Sequence, residues 1–246
     1  MTEIENLSKI LAQSQSAVFF GGAGMSTESG IPDFRSANGI FNQRLNANLR
    51  PEEIVSHTFF MNCPADFFEF YRTRIAYLDA KPNAGHIALA KLERRGNLAA
   101  VVTQNIDGLH QAAGSKVVHE LHGSIQRAFC INCGAPYDLH YICENKPIPY
   151  CKECGGVVRP DVVLYEENLD ERILKASIDA ISKADTLIVG GTSLVVYPAA
   201  GLVDYFNGEF LVIINKTETR ADSEAELIIR ANIGETLCKA VELLGK

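Results

Sequence analysis

The chain is expected to be an α/β protein: a doubly wound, Rossmann-like parallel sheet with an inserted small lobe. Three observations lead there. Four apolar runs are continuous rather than alternating, as in parallel strands covered on both faces. Amphipathic helical patterns fall between these runs. Two segments interrupt the alternation, and one of them holds five of the seven cysteines.

Ile4, Leu7, Ile10 and Leu11 share one helical face ahead of a first strand, Ala17-Val18-Phe19-Phe20, which runs into Gly21. Ile87, Leu89, Ala90 and Leu92 mark a second helix with Gly96 as its C-cap. The strand Leu98-Ala99-Ala100-Val101-Val102 follows and ends at Thr103. Asp170 caps a helix carrying Ile173, Leu174, Ile178 and Ile181 before the strand Thr186-Leu187-Ile188-Val189. Phe210–Ile214 is a further strand ending at Asn215, and a helix over 235–244 closes the chain. Residues 1–35, 85–124 and 159–246 are assigned to the discontinuous α/β domain. Residues 36–84, helical over 65–78, and the cysteine-rich residues 125–158 are assigned to a small domain built from two insertions.

The 246 residues carry 23 Lys+Arg against 30 Asp+Glu, a net charge of -7. That balance lacks the basic footprint of a nucleic-acid binder. No apolar run approaches the ~18–20 residues of a membrane span. MTEIENLSKI lacks the basic-then-apolar layout of a signal peptide. The expectation is a cytoplasmic protein without membrane or direct nucleic-acid partners.

Cys130, Cys133, Cys151 and Cys154 form two CxxC pairs, CINCG and CKECG. A Gly after each pair lets backbone N–H groups turn toward the sulfurs. This spacing is the zinc-ribbon pattern, and four thiolates leave no open position for a substrate, so the ion is structural. Two disulfides, or four unrelated buried cysteines, are the alternatives. Cys63, Cys143 and Cys238 lack such spacing and read as ordinary side chains.

The first strand runs into GGAGMSTESGIPDFR at 21–35. Gly22 and Gly24 suit a tight turn where backbone N–H groups approach a phosphate. Thr27 stands where a third glycine would complete a dehydrogenase fingerprint. Other strand ends are polar too: Gln104-Asn105-Ile106-Asp107, Gly191-Thr192-Ser193 and Asn215. Ligands of open α/β sheets bind outside such carboxyl ends, so these four make a candidate nucleotide cleft. Phe34 and Arg35 read either as a lid over the ligand or as a core aromatic beside a surface ion pair. His122 is a candidate general base at a domain junction, since imidazole titrates near neutrality. The alternative is a hydrogen-bonded structural histidine.

GAGMSTESGIPDFR at 22–35, TQNIDGLH at 103–110, LHG at 121–123, the CxxC pairs, RPDVVLYEE at 159–167, GTSLVVYPA at 191–199 and Ile214-Asn215 follow the order seen in sirtuins, and the chain resembles that family over nearly its whole length. The resemblance implies an NAD-dependent protein-lysine deacetylase that transfers the acyl group to ADP-ribose and releases nicotinamide, with NAD as co-substrate and one structural zinc. It makes His122 the general base and has Asn105, also catalytic, orient the ribose or a water. It places Gly22, Ala23, Gly24, Thr27, Phe34, Arg35, Gln104, Asn105, Ile106, Asp107, Gly191, Thr192, Ser193, Asn215, Lys216 and Ile233 around NAD. Strand-like Val162-Val163-Leu164 and Val195 to Tyr197 would flank an acyl-lysine peptide lying as an added strand. Alternatives are a desuccinylase or demalonylase, a mono-ADP-ribosyltransferase, or a non-catalytic NAD or ADP-ribose sensor.

Two departures from the family pattern are Gly21, where Thr is frequent, and Glu166, where Gly is frequent. Glu166 is expected to disfavour acidic flanks in the peptide. Tyr71 and Arg74 have the spacing by which some sirtuins hold an acidic acyl group, and here they read as one face of a helix.

Overall fold

The computed structural model describes residues 1–33 and 49–245, with Pro51 by its backbone alone. Phe34 and Arg35 lie outside the described residues.

α1 (Glu3–Gln13) starts with a capping box in which the Thr2 hydroxyl accepts from the Glu5 N–H and the Glu5 carboxylate accepts from the Thr2 N–H. Its buried side carries Leu7, Ile10 and Leu11. β1 (Ala17–Gly21) follows, then a loop of two short 3-10 turns, Ala23–Met25 and Thr27–Ser29. α2 (Pro51–Ile54), α3 (His57–Asn62) and α4 (Pro64–Phe70) pass into a π-helical turn at Tyr71–Ile75. α5 (Ala84–Arg95) ends at Gly96, whose φ of 83° is a left-handed cap that glycine adopts without strain. Ile87 is exposed on it, in contrast to the expected face; Leu89 and Leu92 turn inward, and the helical period places Gly85 and Ala88 beside them while Ile87 faces out.

β2 (Leu98–Thr103), α6 (Leu109–Ala112), β3 (Val118–Glu120), β4 (Gly123–Cys130), β5 (Pro136–Asp138), α7 (Leu139–Glu144) and β6 (Val158–Val162) come next. α8 (Glu171–Lys183), capped by the Asp170 carboxylate, leads into β7 (Thr186–Gly190). β8 (Phe210–Ile214), β9 (Leu227–Ile229) and α9 (Ile233–Leu243) finish the chain.

Six strands form one parallel sheet in the order β3-β2-β1-β7-β8-β9. Alternate residues of each strand feed opposite layers, which is why the runs are apolar throughout. Phe19, Val101, Ile188 and Val212 pack under α1, α5 and α9. Val18, Phe20, Val102, Leu187, Val189 and Ile213 pack under α8 and the 3-10 segment Ala199–Tyr205. β3 and β9 extend the sheet beyond the four apolar runs. Each has only three residues, too few to show a pattern.

The sheet builds outward from β1 in both directions, so the topological switch falls between β1 and β7. In open α/β sheets ligands bind at such a point, outside the carboxyl ends of the strands. A second, antiparallel sheet, β5-β4-β6, shares a core with the helical segment: Phe60, Phe67, Phe68 and Tyr71 pack with Ile125, Leu139, Ile142 and Val158. Arg72 fastens the two pieces by donating to the carbonyls of Ile142, Asn145 and Pro147. No described helix is long and apolar enough to cross a membrane.

Candidate active site

Gly21 at the end of β1 hands the chain to the glycine loop. Gly22 N–H donates to the Gly190 carbonyl and Gly24 N–H to the Gly191 carbonyl, 3.2 and 2.8 Å. A Cβ on Gly24 would lie 2.7 Å from Gly191 Cα, and one on Gly22 2.7 Å from Thr192 Cβ, so the two strand ends approach as closely as glycine allows. Gly191 has φ +61°. The result is a close-packed glycine turn with its backbone brought up to the strand ends, the arrangement that lets backbone N–H groups approach a pyrophosphate. Ala23, Gly24 and Thr27 are half-buried on it, and the Thr27 hydroxyl donates to the Gly24 carbonyl.

Beyond β2 the chain turns through Gln104–Asp107. Gln104 Nε2 donates to Thr192 Oγ1 across the crevice, 3.0 Å. Buried Asn105 donates to Ser26 Oγ at 3.0 Å, and Ser26 Oγ donates to Asp107 Oδ2 at 2.6 Å. The Leu109 N–H donates to the other oxygen of Asp107. Burial raises the pKa of Asp107 despite the hydrogen bonds from Ser26 and Leu109, and Glu120 pushes it the same way. Ser26 is the site residue that sequence reasoning passed over. It sits inside the quoted glycine motif, but a serine after a glycine turn carries no distinguishing pattern. Its fully buried hydroxyl, shared by two side chains, does.

His122 lies between β3 and β4. Its Nδ1 is 2.9 Å from the Gln104 carbonyl oxygen, which only accepts, so Nδ1 carries the proton and Nε2 keeps a free lone pair. Burial lowers its pKa, opposed by the Gln104 bond. The ring is therefore a neutral base at pH 7. Gly123, with φ +76° and a Cβ position blocked by the Asp161 carbonyl, starts β4 directly behind it.

Asn215 is buried at the end of β8, with its amide donating to Thr217. Lys216 and Ser193 are exposed. Ile233 is buried at the start of α9 and packs against Gly190 at the end of β7. The Ile106 side chain packs on the core of the smaller sheet, while its carbonyl accepts from the Ile125 N–H.

Of the expected peptide edges, Val162 ends β6, and Val163 and Leu164 continue outside the ladder, Val163 N–H reaching the His122 carbonyl. Val195 to Tyr197 is irregular rather than strand-like. Leu194, at φ +53°, and Pro198 bound it and forbid a continuous extended run. Val195 and Tyr197 are 57% and 63% exposed, unusual for such side chains and suited to a surface another chain covers. Glu166 takes φ +78°, and its carboxylate accepts from the Thr58 N–H and hydroxyl at the start of α3. Tyr71 is buried against Phe67, with no hydrogen-bond partner on its hydroxyl among the described residues. Tyr71 and Arg74 belong to the π-helical turn rather than to an α-helical face, because the Ala76 N–H reaches back to the Tyr71 carbonyl.

The four cysteine sulfurs Cys130, Cys133, Cys151 and Cys154 lie within 4.8 Å of one another. Asn132 N–H and Glu153 N–H donate to the Cys130 and Cys151 sulfurs, and Gly134 and Gly155, at φ +74° and +73°, make these knuckles possible. The Tyr137 hydroxyl also donates to Cys151 Sγ and brings that thiol down to about 6. Four clustered sulfurs with donors aimed at them fit a tetrahedral zinc ion of structural type.

The Sir2 family model matches residues 22–198. An NAD-dependent protein deacetylase of Clostridium perfringens is 59% identical over 98% of this chain and 99% of its own length. A protein of the same description from Cutibacterium acnes is 52% identical over 95% of each. A solved Sir2 with a deacetylated p53 peptide and 3'-O-acetyl ADP-ribose shares 39% identity at a TM-score of 0.90, covering 99% of both chains. A Sir2 with p53 peptide and NAD shares 39% at 0.86, covering 100% of this chain and 99% of that one. With its fold, cleft and cysteine cluster in place, the chain belongs to the Sir2 family, the sirtuins.

Proposed function

We propose that the chain is an NAD-dependent protein-lysine deacetylase that moves an acetyl group from a lysine side chain to ADP-ribose and releases nicotinamide. The observation that carries this is His122: a neutral imidazole with Nδ1 tied to the Gln104 carbonyl and Nε2 free, beside the Ser26–Asn105–Asp107 cluster. NAD, when bound, supplies the ribose carbon from which nicotinamide departs and the hydroxyls that receive the acetyl group. The backbone cradle of Gly22, Ala23, Gly24 and Gly191 holds its phosphates, and Gln104, Thr192 and Asn215 orient its sugars. Asp107, fixed by Ser26 and Leu109, holds the nicotinamide amide. Asn105 positions the reacting sugar face, and His122 Nε2 takes a proton from a ribose hydroxyl, the step for which a neutral base is needed. Val162, Val163, Leu164, Val195 and Tyr197 grip the peptide. The zinc ion ties the two knuckles and does no chemistry.

Acetyl is preferred over succinyl because Tyr71, the residue that would hold an acidic acyl group, is buried in an aromatic core. The acidic net charge agrees with action on proteins rather than on nucleic acid. Incubation with NAD and paired acetyl- and succinyl-lysine peptides tests the reading. Deacetylation with nicotinamide release, and little desuccinylation, is expected. Labelling of protein by ADP-ribose without deacetylation would instead make the chain a mono-ADP-ribosyltransferase. An absence of nicotinamide release would leave only a sensor.

A further inference from the structure

The glycine loop is held from behind by the starts of two helices. Asn83 is the N-cap of α5. Its Oδ1 accepts from the Gly85 and His86 N–H groups, which fixes the orientation of the amide. The opposite end, Nδ2, then has two hydrogens left. One goes to the Met25 carbonyl at 2.7 Å and the other to Ser29 Oγ at 3.0 Å. One side chain thus caps a helix and grips both 3-10 turns of the loop.

From the other side, the Glu28 carboxylate accepts from the N–H groups of Gly234 and Glu235, at 2.7 and 3.2 Å. These are open donors at the start of α9, whose own N-cap residue, Asn232, makes no side-chain cap. The two helix starts touch: a Cβ on Gly85 would lie 2.7 Å from Gly234 Cα. Loop, α5 and α9 therefore meet as one unit.

We propose that Asn83 is a positioning residue for the cofactor: by anchoring Met25 and Ser29, with Glu28 as the second anchor, it holds Gly22–Gly24 in the shape that receives the NAD pyrophosphate. This rests on the NAD-dependent reading above. Without the amide hydrogens the first turn keeps the Gly22 and Gly24 N–H bonds to Gly190 and Gly191 and the Ser26 bonds to Asn105 and Asp107, but loses its tie to the start of α5.

Asn83→Asp and Asn83→Ser separate the two duties of this side chain. Asp and Ser are N-caps as good as Asn, so α5 keeps its start. Asp loses both donations and sets a carboxylate oxygen against the Met25 carbonyl; Ser is too short to reach it. The expected result is an unchanged melting temperature with KM for NAD raised about tenfold in both variants. The peptide KM and kcat at saturating NAD should stay within about twofold, a ratio too small to represent a lost contact. Calorimetry with ADP-ribose should show the same tenfold loss without turnover. Wild-type affinity in both variants overturns the inference, as do parallel rises in both KM values or early melting of both proteins, since the amide would then serve only the fold. If the wild-type chain binds ADP-ribose but deacetylates nothing, the deacetylase reading fails and the anchor stands on the calorimetry. If it binds no ADP-ribose, both fail.

Discussion

His122 works as a base because two neighbours decide its state: the Gln104 carbonyl fixes the tautomer and burial keeps the ring neutral. Replacing it by Ala should cost about 10²–10⁴ in kcat, the usual contribution of general base catalysis, with melting unchanged. Because its pKa is lowered, the acid limb of kcat/KM should fall below the ordinary histidine value of about 6.5. A pH–rate profile with its midpoint above 7 would contradict this. Two other histidines carry a pH effect on stability rather than on rate. His86 and His110 lie fully buried with ring centroids 4.7 Å apart, and burial takes His86 down to about 4 and holds His110 well below its ordinary value. The unfolded chain takes up these protons near pH 6.5, the folded chain only near 4 and below. Stability is thus complete above about pH 6.5 and declines as pH falls toward 4, by on the order of 3 kcal/mol from His86 alone. Urea unfolding at pH 7 and pH 5 measures it. His86→Leu should shrink the difference, with the share of His110 remaining, and a variant as acid-sensitive as wild type would refute the assignment.

At the level of elements, β4 depends on Gly123. Its left-handed φ and the Asp161 carbonyl against its Cβ position leave no room for a side chain. Gly123→Ala should destabilise the fold by about 1–3 kcal/mol and displace the adjacent His122. Equal urea midpoints for variant and wild type would show that the junction relaxes. The zinc knuckles join β4 to the segment before β6, where few apolar residues hold the loops. Chelation should release one zinc per chain and loosen the smaller sheet first, with the parallel sheet melting afterwards. Hydrogen exchange distinguishes this from simultaneous melting, which would place the ion in the main cooperative unit. These elements show what a sequence discloses. The strands Ala17–Gly21 and Thr186–Gly190 were legible because every residue feeds one of two layers. β3 and β9 were not, since three residues carry no periodicity. The irregular course of Val195–Tyr197 escaped notice because a β-branched pair looks like a strand until Leu194 and Pro198 are seen to bound it.

Over the whole molecule, residues far apart in the chain meet at the strand ends: Ser26, Asn105 and His122 from the first half, Thr192 and Asn215 from the second. A sequence reveals which motifs end the strands, and the topological switch then brings them together. It does not reveal side-chain partners such as Ser26 with Asp107 or Asn83 with Met25. Those depend on which donor has an acceptor left once backbone needs are met. Nor does the spacing of Tyr71 and Arg74 reveal that Tyr71 is buried in the aromatic core.

The central claim is group transfer from lysine to ADP-ribose. A peptide whose acetyl-lysine carries a heavy-isotope acetyl group, incubated with NAD and followed by mass spectrometry, tests it most directly. The label should appear on ADP-ribose, one per nicotinamide released and one per lysine freed, and His122→Ala should slow its appearance by about 10²–10⁴. Label recovered as acetate without NAD consumption, or nicotinamide released with the peptide still acetylated, would contradict the account.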